Sequence, residues 1–321
     1  MKAAVHTRYG PPGVVRITEV EKPSAGDNEL IVKVHATTVN RTDSGLRAAK
    51  PFFSRFVTGL RKPRGTVLGN EFAGTVETVG SGVTSFAPGD RVFGFSGFSG
   101  PFGGHAEYIR IREDSAVAAI PADLGYETVA AGTEGAHYAL SNIRKAKITR
   151  DHKVLVYGAT GAIGSAAVQL LKSMGATVTA VCATDSLTLV RSLGADRVVD
   201  YTAQDFTKDS QRYHVVFDAV GKSSFLRCRP LLRPGGIYLA TEGGIGFLLL
   251  ILITALLPGK RVMFALPKLD QSVVQHLAAL MESGQFKPVI DRTYPLEEIV
   301  PAYEYVETGQ KIGNVVITVC P

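Results

Sequence analysis

The sequence predicts an α/β protein that combines a β-rich lobe with a doubly wound parallel sheet. Three observations carry this. The apolar run Val154-Leu155-Val156-Tyr157 passes directly into Gly158-Ala159-Thr160-Gly161-Ala162-Ile163-Gly164, then into the helical stretch Ser165–Met174 and, after Gly175, the strand Ala176–Val181. Strand, glycine turn, helix, strand is the first βαβ unit of a dinucleotide-binding fold. Residues 1–120 instead read as short strands broken by glycine turns, which suits a small barrel-like domain. After that unit, the short apolar runs Arg197–Asp200, Val215–Val220, Gly236–Ala240 and Val262–Leu266 alternate with helical segments, as a doubly wound sheet requires.

The glycines have a chemical reason. A pyrophosphate must approach backbone N–H groups at a helix N-terminus. Gly158 allows the tight turn, Gly161 leaves room for phosphates, and Gly164 lets helix and strand press together. The spacing G-x-x-G-x-x-G nominates Gly158, Ala159, Thr160, Gly161, Ala162 and Ile163 as the cofactor cradle.

Composition narrows the class. The 321 residues are 45% hydrophobic and 20% charged, which predicts a soluble globular chain. Met1-Lys2-Ala3-Ala4-Val5 opens as a strand, so no signal peptide is expected. Cys182, Cys228 and Cys320 are too few and too scattered for a disulfide framework, which points to a reducing, cytoplasmic compartment. The net charge of +6 fits a basic surface or an anionic ligand rather than nucleic acid. The apolar segment 245–257 is too short to cross a bilayer, which takes about 20 residues. A buried helix or a subunit interface is the expectation, with peripheral membrane contact as the alternative.

In the first lobe, Met1–His6 and Val14–Val20 predict a hairpin around Gly10-Pro11-Pro12-Gly13, and Glu29–Thr37 alternates as a half-buried strand. Four pieces here carry a resemblance: Val39-Asn40-Arg41-Thr42-Asp43, Gly69-Asn70-Glu71-Phe72-Ala73-Gly74, Pro88-Gly89-Asp90-Arg91-Val92 and Gly104-His105-Ala106-Glu107-Tyr108. With the nucleotide unit, Ile290–Leu296 and Gly309–Val316, they fall in the order of the medium-chain dehydrogenases/reductases, and the chain resembles that family over nearly its whole length. The resemblance implies a GroES-like catalytic domain at 1–122 and 268–321 and a Rossmann domain at 123–267.

Zinc members of that family carry a Cys near Arg41 and Gly-His-Glu where this chain has Gly69-Asn70-Glu71. A zinc site needs three or four N/S ligands, and no cysteine precedes Cys182. His105 and Glu71 alone do not make a site. The chain therefore resembles the zinc-less quinone oxidoreductase branch, zeta-crystallin-like and enoyl-reductase-like, and no metal is expected.

The resemblance implies NADPH across a cleft between the lobes. Asn40, Asp43 and Thr133 are its candidate polar groups at the reacting centre; Glu134, His137 and Tyr138 read as packing or surface. At the end of the second nucleotide strand, NAD enzymes place an acid on the ribose 2′-hydroxyl. Here stands Cys182, with Thr184, Arg191 and Tyr201 as partners for the adenosine end, so NADPH is expected over NADH, although Asp185 runs against this. Strand ends nominate Val220, Gly221, Thr241, Glu242, Ala265 and Leu266 as cofactor-facing, and Asn314 replaces a lysine that relatives hold near the cofactor.

Arg41 to Arg64 carries seven cations against Asp43, with Phe52, Phe53 and Phe56 among them. It reads as a solvated helix, or as a substrate-attracting rim. The family segment that supplies a tyrosine acid in some enoyl reductases has none here, since no Tyr lies between Tyr9 and Tyr108.

The expectation is an NADPH-dependent reductase of quinones or α,β-unsaturated carbonyls. The alternatives are a zinc-less reductase of carbonyls or enoyl thioesters, and a non-catalytic NADPH-binding protein. A small-molecule substrate and a homodimer through the 245–266 region complete the reading.

Overall fold

The computed structural model describes residues 1–320 apart from 51, 97–102, 268 and 269. In chain order it forms β1 (Lys2–Val5), β2 (Arg16–Glu19), β3 (Glu29–Val39), α1 (Arg41–Ala48), α2 (Arg55–Thr58), β4 (Glu71–Val79), β5 (Arg91–Phe95), β6 (Tyr108–Arg112) and β7 (Val117–Ala119). There follow α3 (Tyr126–Ala131), α4 (Glu134–Lys145), β8 (Lys153–Tyr157), α5 (Ala162–Ser173), β9 (Thr177–Cys182), α6 (Leu187–Ser192), β10 (Arg197–Asp200), β11 (Tyr213–Asp218), α7 (Phe225–Cys228) and β12 (Leu232–Ala240). The chain closes with α8 (Ile245–Leu256), β13 (Arg261–Met263), α9 (Gln271–Glu282), β14 (Ile290–Pro295), α10 (Ile299–Glu307) and β15 (Asn314–Thr318).

Two compact units result: residues 1–134, 269–284 and 288–321, and residues 135–268 with 285–287. The changeover lies at 134/135, twelve residues beyond the expected 122/123.

In the first unit, β3 is the organising strand. Its 11 residues pair with β4, β6 and β15, all antiparallel, in a sheet ordered β14-β15-β3-β4-β5-β7. Alternation along β3 sends Leu30, Val32 and Val34 into a core with Phe72, Val76, Val92 and Ile109. The pairing of Val316 with Thr38 and of Ala36 with Ala73 leaves the end of β3, and therefore Asn40, next to β4. The expected hairpin forms, with Ala3 opposite Thr18, although its second strand starts only at Arg16 because Pro12–Val14 takes a 3-10 turn.

The region from Arg41 to Arg64 is not one solvated helix. It breaks after α1, where Ala49 turns left-handed at φ 50°. Arg47 is fully buried: its guanidinium donates to Gly10 O at 2.7 Å, pairs with the Glu307 carboxylate and lies over the Tyr303 ring. The Arg55 guanidinium lies over the rings of Tyr9 and Phe52.

The second unit is a six-stranded parallel sheet ordered β10-β9-β8-β11-β12-β13. The middle residues of its central strands, Val154–Val156 and Val215–Phe217, are buried and apolar, as expected where helices cover both faces. Two expectations shift. The last strand ends at Met263, which leaves Ala265 and Leu266 in the following loop. The 245–257 segment forms α8, but it is not a buried helix: Leu248, Leu249, Leu252, Ile253 and Leu256 are exposed. No helix among the described residues is long and apolar enough to cross a membrane.

Candidate active site and cofactor turn

In the second unit, β8 runs into Gly158, whose φ of +79° requires glycine. A Cβ at Gly164 would stand 2.0 Å from Gly158 O, so strand and helix touch through this glycine. At Gly161, by contrast, a Cβ would meet nothing closer than Gly158 O at 3.8 Å. Gly161 is the N-cap of α5, with no side chain on the first-turn amides. An uncapped helix N-terminus behind open space is what a phosphate needs. Ala159 is buried, while Thr160, Ala162 and Ile163 are half-exposed.

The adenosine-end candidates gather at the carboxyl edge of β9 and β10. Cys182 is buried, and burial pushes its thiol up to about 11, so it serves as packing. Asp200 stands opposite it in the sheet register, and Tyr201 N donates to Cys182 O at 3.1 Å. The Thr184 hydroxyl is engaged: it donates to Asp200 Oδ2 at 2.6 Å and lies 2.8 Å from Thr202 Oγ1. Arg191 is exposed and close enough to act electrostatically on Cys182. Tyr201 is 49% exposed, edge-on to Tyr157.

The loop after β11 winds around buried Asp218, whose carboxylate accepts from Val220 N, Gly221 N, Ser223 N and the Tyr238 hydroxyl. Gly221 has φ +65°, and Thr241 N donates to Asp218 O, so Val220, Gly221 and Thr241 share one strand-end cluster, with Glu242 beside Gly221. Ala265 is buried with its N–H on Asn142 Oδ1, whereas Leu266 is 83% exposed. Asn314 lies in the first unit, on β15, where both its backbone N–H and its side-chain Nδ2 donate to Val289 O.

The first unit builds a second constellation around the start of α1. Asn40 and Asp43 form a capping box: Asp43 N donates to Asn40 Oδ1 at 2.8 Å and Asn40 N to Asp43 Oδ2 at 3.2 Å. The Asp43 carboxylate also accepts from Gly69 N and Asn70 N. It therefore clamps the 69–70 loop to α1 and offers no free oxygen. Burial raises it to about 7 against those three donors. Thr133, the third expected polar group, donates its hydroxyl to Val129 O at 2.6 Å within its own helical turn. Of the three, only Asn40 retains a free donor: its Nδ2 is buried without a hydrogen-bond partner.

Sequence reasoning missed the rest. Glu71 is buried and Glu134 half-buried; Glu134 N donates to Glu71 Oε2 at 2.7 Å, and the Thr38 hydroxyl donates to Glu71 Oε1. Burial first, then Glu134, raises Glu71 well above the ordinary range; burial first, then Asp43, raises Glu134 to about 8. Glu134 Oε1 and both polar side-chain atoms of Asn70 have no hydrogen-bond partner among the described residues. Lys311 is half-buried; desolvation lowers it to about 8, against the opposing pull of Glu134, Asp291 and Glu71. His105 is kept neutral by burial at about 4, with Nε2–H donating to Thr38 O at 2.7 Å and Tyr303 near Nδ1. Sequence-level signals existed for Glu71 inside Gly69-Asn70-Glu71-Phe72, for His105 inside Gly104-His105-Ala106-Glu107-Tyr108 and for Lys311 inside Gly309–Val316, but none said that these residues would gather.

This donor set does not fit zinc. Asn70 presents an amide, Asn40 caps a helix, and His105 is committed to Thr38 O. Among the described residues no three His, Cys, Asp or Glu side chains are grouped as metal ligands.

A GroES-like sheet and a parallel nucleotide-binding sheet with an open glycine turn define a dehydrogenase/reductase. Residues 26–122 match the alcohol dehydrogenase GroES-like domain and residues 193–317 the zinc-binding dehydrogenase domain. The whole chain is 32% identical to a 2-methylene-furan-3-one reductase of Solanum lycopersicum, and 30% identical to the chloroplastic NADPH-dependent alkenal/one oxidoreductase of Arabidopsis thaliana, in each case over 80% of the relative. The fold superposes on a quinone oxidoreductase from Coxiella burnetii with a TM-score of 0.91 and 26% identity, covering 100% of this chain and 99% of that one. The chain belongs to the medium-chain dehydrogenase/reductase family, in its quinone oxidoreductase branch.

Proposed function

We propose that this protein is an NADPH-dependent reductase of quinones or α,β-unsaturated carbonyls that works without zinc. What supports it is a set of buried polar side-chain atoms without hydrogen-bond partners among the described residues, Asn40 Nδ2, Asn70 Nδ2 and Glu134 Oε1, around the starts of α1 and β4. NADPH, when bound, supplies the hydride. Gly158 to Ile163 hold its phosphates on the amides of α5. Arg191, Tyr201 and Thr184 serve the adenosine end, with no carboxylate at position 182 to oppose a 2′-phosphate. Val220, Gly221, Thr241, Glu242 and Ala265 border the cofactor.

Hydride addition to an enone or quinone leaves negative charge on the substrate oxygen. Preorganised hydrogen-bond donors stabilise such a charge. Asn40 Nδ2 and Asn70 Nδ2 are donors of that kind, and the Glu134 carboxyl, which burial raises to about 8, is a proton source in the same unit. Asp43 acts through the loop it clamps and is a positioning residue. The proposal includes a cytoplasmic location and a homodimer formed through β13, a sheet edge with one unpaired side.

The test is oxidation of NADPH and NADH, in chelator, against quinones, enones and enoyl thioesters. Turnover of quinones or enones with NADPH supports the reading. Turnover confined to thioesters moves the assignment to an enoyl-thioester reductase, and tight NADPH binding without turnover moves it to a non-catalytic cofactor-binding protein.

A further inference from the structure

Helix α8 reads IGFLLLILITAL, 12 residues without a charge. At 1.5 Å per residue it spans about 18 Å, well short of a bilayer core of about 30 Å. One side is accounted for: Phe247, Leu250 and Ile251 pack on the core of the second unit, and buried Thr254 accepts Val262 N at 2.9 Å. The other side should be polar on a surface helix. Instead Leu248 is 54% exposed, Leu249 53%, Leu252 63%, Ile253 51% and Leu256 87%, and Leu257 continues the patch.

The rim of this patch is cationic. Lys260 Nζ donates to Arg229 O at 2.6 Å, and after slight burial it is Arg229 and Arg212 that press its pKa down. Arg212, Arg229 and Arg261 are exposed. Four cations thus stand at the C-terminal end of an aliphatic helix. The patch itself holds only Leu and Ile, without the aromatic, Met or Arg side chains enriched at the centres of protein interfaces.

We propose that the outer face of α8 docks on an anionic lipid bilayer. Leu248, Leu249, Leu252, Ile253 and Leu256 enter the boundary between headgroups and acyl chains, while Lys260, Arg261, Arg229 and Arg212 meet lipid phosphates. An interfacial helix needs this combination of an apolar face and a cationic border, and it need not span the membrane. The proposal stands apart from the reaction chemistry. Its chief competitor is a second copy of this chain seated on the same face.

The test uses the full-length chain, sedimented with vesicles of phosphatidylcholine alone or of phosphatidylcholine with phosphatidylserine. Binding to the anionic vesicles should be at least about tenfold tighter and should weaken as salt is raised. Leu252→Glu with Leu256→Glu, both at exposed positions, should weaken binding by about tenfold or more while leaving NADPH binding and oligomeric mass unchanged. Lys260→Glu with Arg261→Glu should remove the preference for phosphatidylserine. No binding by the folded chain, or binding indifferent to the Leu252 and Leu256 changes, overturns the proposal. So does a fall in oligomeric mass of the Leu252/Leu256 variant, measured by light scattering, which would assign the face to a second copy.

Discussion

Glu134 N donates to Glu71 Oε2 at 2.7 Å, which fixes the half-buried Glu134 at the start of α4 against the buried Glu71 carboxyl of β4. Burial and then Glu134 oppose ionisation of Glu71, while burial and then Asp43 oppose that of Glu134. Glu134 is raised from 4.5 to about 8, so the folded state holds a proton that the unfolded chain releases between those values. Its contribution to stability is complete below about pH 4.5 and is lost as pH rises through about 8. Glu134→Gln removes that loss. Chemical denaturation across pH should show the variant gaining on the wild type as pH rises from 5 to 9; a constant difference would place the proton elsewhere.

Asn70 and Asn40 separate catalysis from architecture. The Asn70 amide has no partner, so Asn70→Ala should leave the melting temperature nearly unchanged and lower kcat by about 10²-fold, the usual cost of one oxyanion donor. Asn40 also caps α1, so Asn40→Ala should lower kcat and remove about 1 kcal/mol of stability. NADPH affinity, read by fluorescence, should not change in either variant.

The glycine turn gives a contrast between two neighbours. Gly161 faces open space, and Gly161→Trp should keep the fold and abolish NADPH binding. Gly164 lies against Gly158 O, and Gly164→Ala should destabilise the second unit by about 1–3 kcal/mol, as overpacking does. Calorimetry and cofactor titration on both variants separate the two effects.

Cofactor choice rests on Cys182 and Arg191. Cys182→Asp should shift preference from NADPH toward NADH, because a carboxylate there opposes a 2′-phosphate and suits a ribose hydroxyl. Arg191→Ala should weaken NADPH by about tenfold, the scale of one charged hydrogen bond, and NADH little. The ratio of kcat/KM values with the two cofactors is the readout.

Arg47 is a buried cation whose partner lies far along the chain, at Glu307. Arg47→Ala leaves Gly10 O without its donor, empties a fully buried site and breaks the pair with the exposed Glu307, at a cost of about 1–3 kcal/mol. Denaturant titration should show the midpoint fall accordingly; an unchanged midpoint would mean that the pair carries no net stability.

Arg47 also marks the limit of what the sequence discloses. The βαβ unit was legible because glycines with one conformational purpose stood between apolar runs of the right length, and the Asn40-x-x-Asp43 cap had a readable pattern. Seven cations between Arg41 and Arg64 looked solvated, and nothing local said that one would be buried against a residue 260 positions away. Glu71 and Glu134 are 63 residues apart and meet only because β4 and the start of α4 converge. Thr133 looked free in sequence, but its hydroxyl found Val129 O four residues back. The apolar run at 245–257 announced a helix, but not that half of it would face outward.

The central claim is hydride transfer to carbon without a metal. The direct measurement uses NADPH deuterated at C4 of the nicotinamide, an enone, the purified chain and excess chelator, with the product examined by NMR. Deuterium should appear on the β-carbon of the saturated ketone at a rate unaffected by chelator. A product without deuterium at that carbon, or turnover that stops in chelator and returns with zinc, would contradict it.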